Sequence, residues 1–218
     1  MGTATRRRGL FRVGVLASGT GTNLQAIIDA VERGDLPVTV AVVISNRPKA
    51  MALERARRHG IPAVVVSMKR HPAREEHEEV VLRHLQEHKV DLVVLAGYDR
   101  VIVGQRFLDA YSGRIINTHP ALLPAFARTL HAQKEALEYG VKITGCTVHF
   151  VTPEVDAGPI IVQRVVEVEE DDTVDSLRAR ILAEEHKALP QAIRLIAEGR
   201  VRIEGRRVRV LPATSAMR

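Results

Sequence analysis

The chain has 218 residues, 45% of them hydrophobic and 27% charged, and its 32 Lys and Arg against 26 Asp and Glu give a formal net charge of +6. This length is ample for a sizeable core, and the composition is ordinary for a globular protein. Aromatic residues make up 3% of the chain and Trp is absent, which argues against a stacking surface for single-stranded nucleic acid. The single cysteine, Cys146, excludes an internal disulfide and a cysteine-based metal cluster.

Two further features of the sequence bear on location and partners. No apolar run approaches the roughly 18 residues that a membrane span requires, and the N-terminus lacks the apolar stretch and cleavage site of a secretory signal. We therefore expect a cytoplasmic protein with no membrane partner. Much of the basic excess lies in residues 6–8 and in arginines between residues 200 and 209, which we interpret as mainly solubilising, although a basic balance also suits anionic small molecules.

The first half of the chain alternates strand patterns with helix patterns joined by short connections. Strands are predicted at residues 11–17, 37–44, 63–66 and 91–96, and helices at about 49–59, at about 73–88 and, after the first strand, around an apolar face of Leu24, Ile27, Ile28 and Val31. This alternation is typical of a parallel α/β sheet with right-handed crossovers.

The second half of the chain changes character. Its predicted elements are a short strand at residues 114–117, a helix near 131–139, two β-rich runs at 142–151 and 159–168, a helix at about 173–198 and a terminal hairpin at 201–203 and 207–210. The fold class is therefore α/β, with a parallel sheet in the N-terminal half and a mixed or antiparallel extension in the C-terminal half. We expect one domain with two lobes at residues 11–210, a basic extension at 1–10 and a tail at 211–218.

Residues 18–23 (SGTGTN), the glycine loop, lie between the first predicted strand and the first helix. Glycines allow main-chain amides to point at an anion, the helix N-terminus adds a favourable dipole, and Ser18, Thr22 and Asn23 can add side-chain hydrogen bonds. A dinucleotide site requires a third glycine, where Leu24 stands, and an acid at the end of the second strand, where this chain has an Asn-Arg pair. The loop therefore favours a single phosphate, and a tight turn with nothing bound is the alternative.

Three polar residues in the second half are candidates for chemistry. Asn117 and His119 lie at the carboxyl end of a predicted strand, where open α/β sheets bind ligands, and the alternation of side chains puts both on the same side. An amide and an imidazole that point into one cleft can stabilise a developing oxyanion. Asp156 lies in a turn beside Gly and Pro, and its carboxylate would set the charge and orientation of the imidazole, while an ordinary turn aspartate is the alternative.

Several segments of the chain, in the same order, resemble one known family. They are residues 18–27, 44–47, 95–98, 116–124, 147–151 with 156–161, and 185–186. From about residue 11 to residue 210 the chain is similar to the phosphoribosylglycinamide formyltransferase family, the folate-dependent enzymes of purine synthesis. The resemblance implies a Rossmann-like formyltransferase fold. It also implies attack by the glycinamide amine on the formyl carbon of 10-formyltetrahydrofolate, through a tetrahedral intermediate.

The resemblance implies catalytic roles for the three polar residues. Asn117 and His119 would stabilise the oxyanion, and Asp156 would hold His119 in its charged form and help to move protons. His149 would be either a second partner of the site or a packed strand histidine. No metal is implied.

The resemblance also assigns residues to the two ligands. Gly21, Thr22 and Asn23 would bind the substrate phosphate and Glu185 the glycinamide or ribose, whereas Arg100, Val101 and Ile102, with the loop near Asp156, would bind the folate. The expected partners are thus these two small molecules, with no nucleic acid, and the chain would be a monomer or a homodimer.

Two positions depart from the pattern of the family, and two alternative functions stay open. Asp99 stands where the family has an apolar residue, and residues 127–129 (ART) replace a stretch that normally contains Gly. One alternative is a formyltetrahydrofolate hydrolase, although that family carries a long regulatory segment before the first strand, where about ten residues stand here. The other is a non-catalytic protein that binds a phosphate ligand.

Overall fold

A computed structural model describes residues 10–102 and 104–213 of the chain. Residues 1–9 of the expected basic extension and residues 214–218 of the expected tail lie outside the described residues. The strands are β1 (Phe11–Leu16), β2 (Val38–Ser45), β3 (Ala63–Val65), β4 (Leu92–Leu95), β5 (Ile115–His119), β6 (Ile143–Phe150), β7 (Ile160–Glu167), β8 (Val201–Glu204) and β9 (Arg207–Val210). The helices are α1 (Thr22–Glu32), α2 (Met51–Arg58), α3 (Arg74–Glu87), α4 (Gln105–Ala110), α5 (Ala132–Tyr139) and α6 (Val174–Ala197).

Seven of the strands form one sheet in the order β3-β2-β1-β4-β5-β6-β7. Strands β1 to β5 are parallel, whereas β6 is antiparallel to β5 and β7 is antiparallel to β6. Strands β8 and β9 form a separate antiparallel hairpin. The parallel first half and the antiparallel extension predicted from the sequence are both confirmed.

The central strands are buried on both faces because helices cover each side of the sheet. Along β4, Leu92 and Val94 pack in a core with residues of α1, α2 and α6, whereas Val93 and Leu95 pack on the other side with residues of α3 and α4. This period of two explains why β1, β2 and β4 read in the sequence as continuous apolar runs. No helix within the described residues is long and apolar enough to cross a membrane.

The structure differs from the sequence predictions in two places that matter for the site. Helix α4 was not predicted, because its six residues contribute only Phe107 and Leu108 to the core and show no helical period. Strand β5 extends past the predicted end at residue 117, because Thr118 and His119 pair with Val148 and Thr147 of β6. His119 is therefore a strand residue held by sheet pairing rather than a residue of the following loop.

The strand order reverses at β1, because β2 continues the sheet on one side of it and β4 on the other. At such a switch point the loops after neighbouring strands diverge and leave a crevice at the carboxyl edge of the sheet. The two neighbouring strands here are β1 and β4. The loops that follow them are joined where they begin, because the Ser18 amide donates to the Gly97 carbonyl at 3.0 Å. The crevice is thus bounded by the glycine loop and by the segment that begins at Gly97.

Candidate active site

Two adjoining cavities open at the carboxyl ends of the parallel strands. The larger cavity has a volume of about 480 Å³ and lies between the segments 97–102, 117–120 and 149–156. The smaller cavity, of about 320 Å³, is lined by the glycine loop and α6. Gly97, Thr118 and Pro120 line both cavities, so the two spaces meet where β4 and β5 end.

The three candidate catalytic residues lie together on the wall of the larger cavity. Asn117, His119 and Asp156 all line it, and His119 Nδ1 lies 3.5 Å from Asp156 Oδ2. The His119 Nε2–H donates to the Phe126 carbonyl at 2.7 Å, which fixes a proton on Nε2 because a carbonyl only accepts. The side chains of His119 and Asp156 are almost fully buried, with 6% and 9% exposed. The Asn117–His119 alternation predicted from the sequence therefore brings both residues to one cleft.

His149 belongs to the same cluster. Its Nε2 lies 3.4 Å from Asn117 Nδ2 and 3.6 Å from Asp156 Oδ1, and its Nδ1–H donates to the Phe150 carbonyl. The sequence left His149 as either a site partner or a packed strand residue, and its side chain is only 2% exposed while it contacts two of the three candidate catalytic residues. The pairing of Asn117 with His149 across β5 and β6 is what brings it there, and no local sequence pattern specifies that register.

The carboxylate of Asp156 is held by contacts from three directions. Burial alone would raise the pKa of Asp156, but interaction with His149, the hydrogen bond from the Arg128 amide and the charge of His119 hold that pKa below its usual value. Its backbone has φ 54°, a left-handed conformation that Asp and Asn adopt more readily than other non-glycine residues. Asp156 is therefore a fixed negative charge between two imidazoles at neutral pH.

The loop at residues 125–129 adopts left-handed backbone conformations although it contains no glycine. Phe126 and Arg128 have φ 51° and 63°. The Arg128 amide donates to Asp156 Oδ2 at 2.8 Å, and its guanidinium forms an ion pair with Glu154. The loop therefore contacts the candidate catalytic carboxylate directly, through its main chain, a contact that no pattern in the sequence indicates.

The glycine loop forms one wall of the smaller cavity. Gly21 is left-handed (φ 71°) and precedes the first turn of α1, where no side chain caps the helix. Within the described residues, the amides of residues 20–24 donate no hydrogen bond to the protein, so they are free to bind an anion. One expectation was wrong: the Ser18 hydroxyl does not face this cavity but lies 2.6 Å from Asn46 Oδ1 and 2.9 Å from Asp99 Oδ1.

Glu185 of α6 lies opposite the glycine loop in the smaller cavity. Its carboxylate accepts from Asn23 Nδ2 at 3.0 Å and from Thr118 Oγ1 at 3.3 Å. Burial raises the pKa of Glu185 because its charged form loses hydration, and the two hydrogen bonds only partly oppose this effect. Glu185 is therefore a better proton acceptor than a surface glutamate.

Asp99 and the residues after it line the larger cavity. Arg100, Val101 and Ile102 all contribute to its wall, as the predicted folate contact requires. The Asp99 carboxylate accepts from Asn46 Nδ2 at 2.8 Å and forms an ion pair with Arg47. Through these contacts and the hydrogen bond from Ser18, Asp99 joins the cavity wall to the segments that follow β1 and β2.

Replacing Asp99 by Ala is expected to lower the free energy of unfolding by about 1–3 kcal/mol at neutral pH. Burial raises the pKa of Asp99, but hydrogen bonds from Asn46 and Ser18 and the contact with Arg47 outweigh it and leave the pKa lowered. A carboxylate whose pKa is lowered by folding stabilises the protein above its unfolded-state pKa, and this contribution disappears as the pH falls through the folded-state value.

Urea unfolding at about pH 7 and about pH 3 measures the effect of Asp99→Ala at both limits. We expect the loss to shrink at the lower pH. Asp35→Ala is the matched control, because Asp35 pairs with Arg33 on the surface with 62% of its side chain exposed, and exposed pairs contribute little. A pH-independent loss at Asp99, or an equal loss at Asp35, contradicts the prediction.

Comparison with known proteins agrees with this architecture. A sequence model of the formyl transferase family matches residues 11–193. The chain is 40% identical over 193 residues to the phosphoribosylglycinamide formyltransferase of Haemophilus influenzae, and the match covers 88% of this chain and 90% of that protein. The crystal structure of glycinamide ribonucleotide transformylase 1 from Symbiobacterium toebii superposes with a TM-score of 0.91 at 56% identity, covering 93% of this chain and 95% of that one.

Some relatives are much longer than this chain. The trifunctional purine biosynthetic protein adenosine-3 of Gallus gallus is 44% identical over 192 residues, which cover 88% of this chain but only 19% of that protein. The chain thus spans about a fifth of that relative. The expected Rossmann-like formyltransferase fold is confirmed by the superposition. The chain therefore belongs to the formyl transferase family, whose members use a folate-derived formyl donor.

Proposed function

We propose that this chain transfers the formyl group of 10-formyltetrahydrofolate to the amine of 5-phosphoribosylglycinamide, a step of purine biosynthesis. The observation that carries the proposal is the junction of the two cavities. A cluster of amide, imidazole and carboxylate groups lines one of them, and free main-chain amides line the other. A formyl donor in the larger cavity and a phosphorylated amine in the smaller one would meet beside Thr118.

The chemistry follows from the charges that develop during transfer. The amine attacks the formyl carbon, and the former carbonyl oxygen becomes an oxyanion that Asn117 Nδ2 and His119 Nε2–H would stabilise. The His119 Nε2–H donates to the Phe126 carbonyl and would donate to this oxygen as well, in a hydrogen bond with two acceptors. Asp156 stabilises the positive charge on His119, and the proton lost by the amine passes to the departing folate nitrogen, through water or the Asp156–His119 pair.

The remaining residues would hold the two ligands. The amides of Gly21, Thr22 and Asn23 would bind the phosphate at the N-terminus of α1. Glu185, which lies in the smaller cavity opposite the glycine loop, would bind the glycinamide or ribose. Residues 100–102 would bind the folate along the wall of the larger cavity. No step of this mechanism requires a metal.

The proposal extends to the setting of the enzyme. We propose that residues 11–210 act as one catalytic unit in the cytoplasm, as a monomer or homodimer, with the two small molecules as ligands and no nucleic acid.

An assay with and without the amine tests the function directly. The purified chain, given glycinamide ribonucleotide and a 10-formyl folate, is expected to form formylated ribonucleotide and deformylated folate in a one-to-one ratio. Without the amine the folate should remain formylated. Equal deformylation in both reactions would contradict the proposal in favour of a hydrolase. Binding of the ribonucleotide without any turnover would instead support a non-catalytic binding protein.

A further inference from the structure

Helix α2 contacts the side of the glycine loop that faces away from the smaller cavity. The Ala52 amide donates to the Gly19 carbonyl at 3.2 Å, and Arg55 Nε donates to the Thr20 carbonyl at 2.9 Å. The approach is close, since a Cβ on Gly21 would lie 2.7 Å from Ala52 Cα. Two successive carbonyls of the loop are thus held towards α2.

Because the peptide group is planar, the directions of these two carbonyls determine where the following amides point. In a planar trans peptide, the N–H of one residue points opposite to the C=O of the residue before it. The Gly19 and Thr20 carbonyls point to α2, so the amides of Thr20 and Gly21 point away from it. Within the described residues, the glycine loop lines the smaller cavity and no residue of α2 does. The amides therefore point to the cavity side.

The guanidinium of Arg55 is itself held by a second contact. Its Nη1 donates to Gln25 Oε1 at 3.0 Å, and Gln25 Nε2 donates to Asp29 Oδ1 at 2.8 Å on the next turn of α1. Arg55 therefore joins α2, the glycine loop and α1 through one planar group with a rigid geometry. It does not line the smaller cavity, so it would act on a bound anion only through the loop and at a distance.

We propose that Arg55 is a positioning residue for phosphate binding. By fixing the Thr20 carbonyl, it keeps the Gly21 amide directed into the smaller cavity before the phosphate arrives, and so removes the cost of ordering the loop during binding. This inference rests on the proposed function, because it takes the substrate phosphate to bind at the glycine loop. It assigns Arg55 no part in the chemistry itself.

Steady-state kinetics of Arg55→Met test the proposal. We expect the KM for glycinamide ribonucleotide to rise about tenfold, because binding would then have to order the loop as well. The kcat and the KM for the folate should stay within about twofold, since the groups at the larger cavity are untouched. Arg55→Lys should recover part of the loss, because an ammonium can still donate one hydrogen bond to the Thr20 carbonyl.

Arg58→Met is the matched control. Arg58 lies on the same helix and pairs with Glu54 on the surface, so the change removes the same charge without touching the glycine loop. We expect its KM values to match those of the unsubstituted protein. Equal effects of Arg55→Met and Arg58→Met would overturn the proposal, as would an Arg55→Met variant whose kcat falls while both KM values stay constant.

A measurement without turnover separates this inference from the proposed function. Inorganic phosphate should raise the melting temperature of the unsubstituted protein and of Arg58→Met more than that of Arg55→Met or Arg55→Lys. Such a difference in a protein that fails to formylate the ribonucleotide would reject the proposed reaction and retain the role of Arg55. Equal stabilisation of all four proteins by phosphate, or of none, would reject the role of Arg55 even in an active enzyme.

Discussion

Asp156→Asn is expected to lower kcat by about 10²–10⁴-fold while the fold stays intact. Asn has nearly the same shape, tolerates the left-handed backbone of this position (φ 54°) and can still accept the hydrogen bond from the Arg128 amide. It cannot supply the negative charge that faces His119 and His149. In the proposed transition state His119 carries positive charge beside an oxyanion, and this variant would remove the counter-charge.

Steady-state kinetics and circular dichroism of Asp156→Asn provide the measurement. The KM for glycinamide ribonucleotide should change little, because the smaller cavity is lined by other residues. Asp109→Asn, the same substitution at an exposed side chain bonded only to Gln105 among the described residues, should leave kcat unchanged. Turnover of Asp156→Asn within twofold of the unsubstituted enzyme would remove Asp156 from the mechanism.

Gly21→Ala is expected to raise the KM for glycinamide ribonucleotide by about 100-fold or more and to destabilise the protein by about 1–3 kcal/mol. Gly21 has φ 71°, and a Cβ there would lie 2.7 Å from Ala52 Cα, a backbone atom that cannot move alone. The loop must therefore shift away from α2. A shift moves the free amides out of the positions in which they would bind the phosphate, so several hydrogen bonds are lost together.

Gly34→Ala separates the two causes of the Gly21→Ala effect. Gly34 also has a left-handed backbone (φ 78°), but a Cβ added there meets no atom within 4 Å. This control should show a loss of stability from backbone strain alone, with unchanged KM values. If Gly21→Ala binds the ribonucleotide as well as Gly34→Ala does, the phosphate does not bind at the glycine loop.

The parts of the fold that the sequence predicted are those with a strong local period. The two-faced burial of β4, with Leu92 and Val94 on one side and Val93 and Leu95 on the other, produces an apolar run that can be read directly. Helix α4 has too few residues to show a period. The end of β5 depends on pairing with β6, and local sequence contains no information about that partner.

The sequence predicts which residues line the candidate site, but it does not predict which distant side chains they contact. Alternation along β5 correctly put Asn117 and His119 on one side. The contact between Ser18 and Asp99 joins residues 81 positions apart, and a polar side chain at the end of a strand gives no sign of which distant group it will meet. For the same reason, the sequence wrongly predicted that the Ser18 side chain faces a bound anion. It also did not decide whether His149 contacts the site or only packs in its strand.

Asp156 accepts its hydrogen bond from the main chain of residue 128, so the amino acid at this position can vary among related proteins. A main-chain donor is present in every amino acid except proline, whose nitrogen carries no hydrogen and whose ring forbids the positive φ of 63° found here. Support of the acidic group is therefore independent of which side chain occupies position 128. The side chain at position 128 can therefore change in charge or size while the loop still restrains the carboxylate to which we assign a role in the reaction.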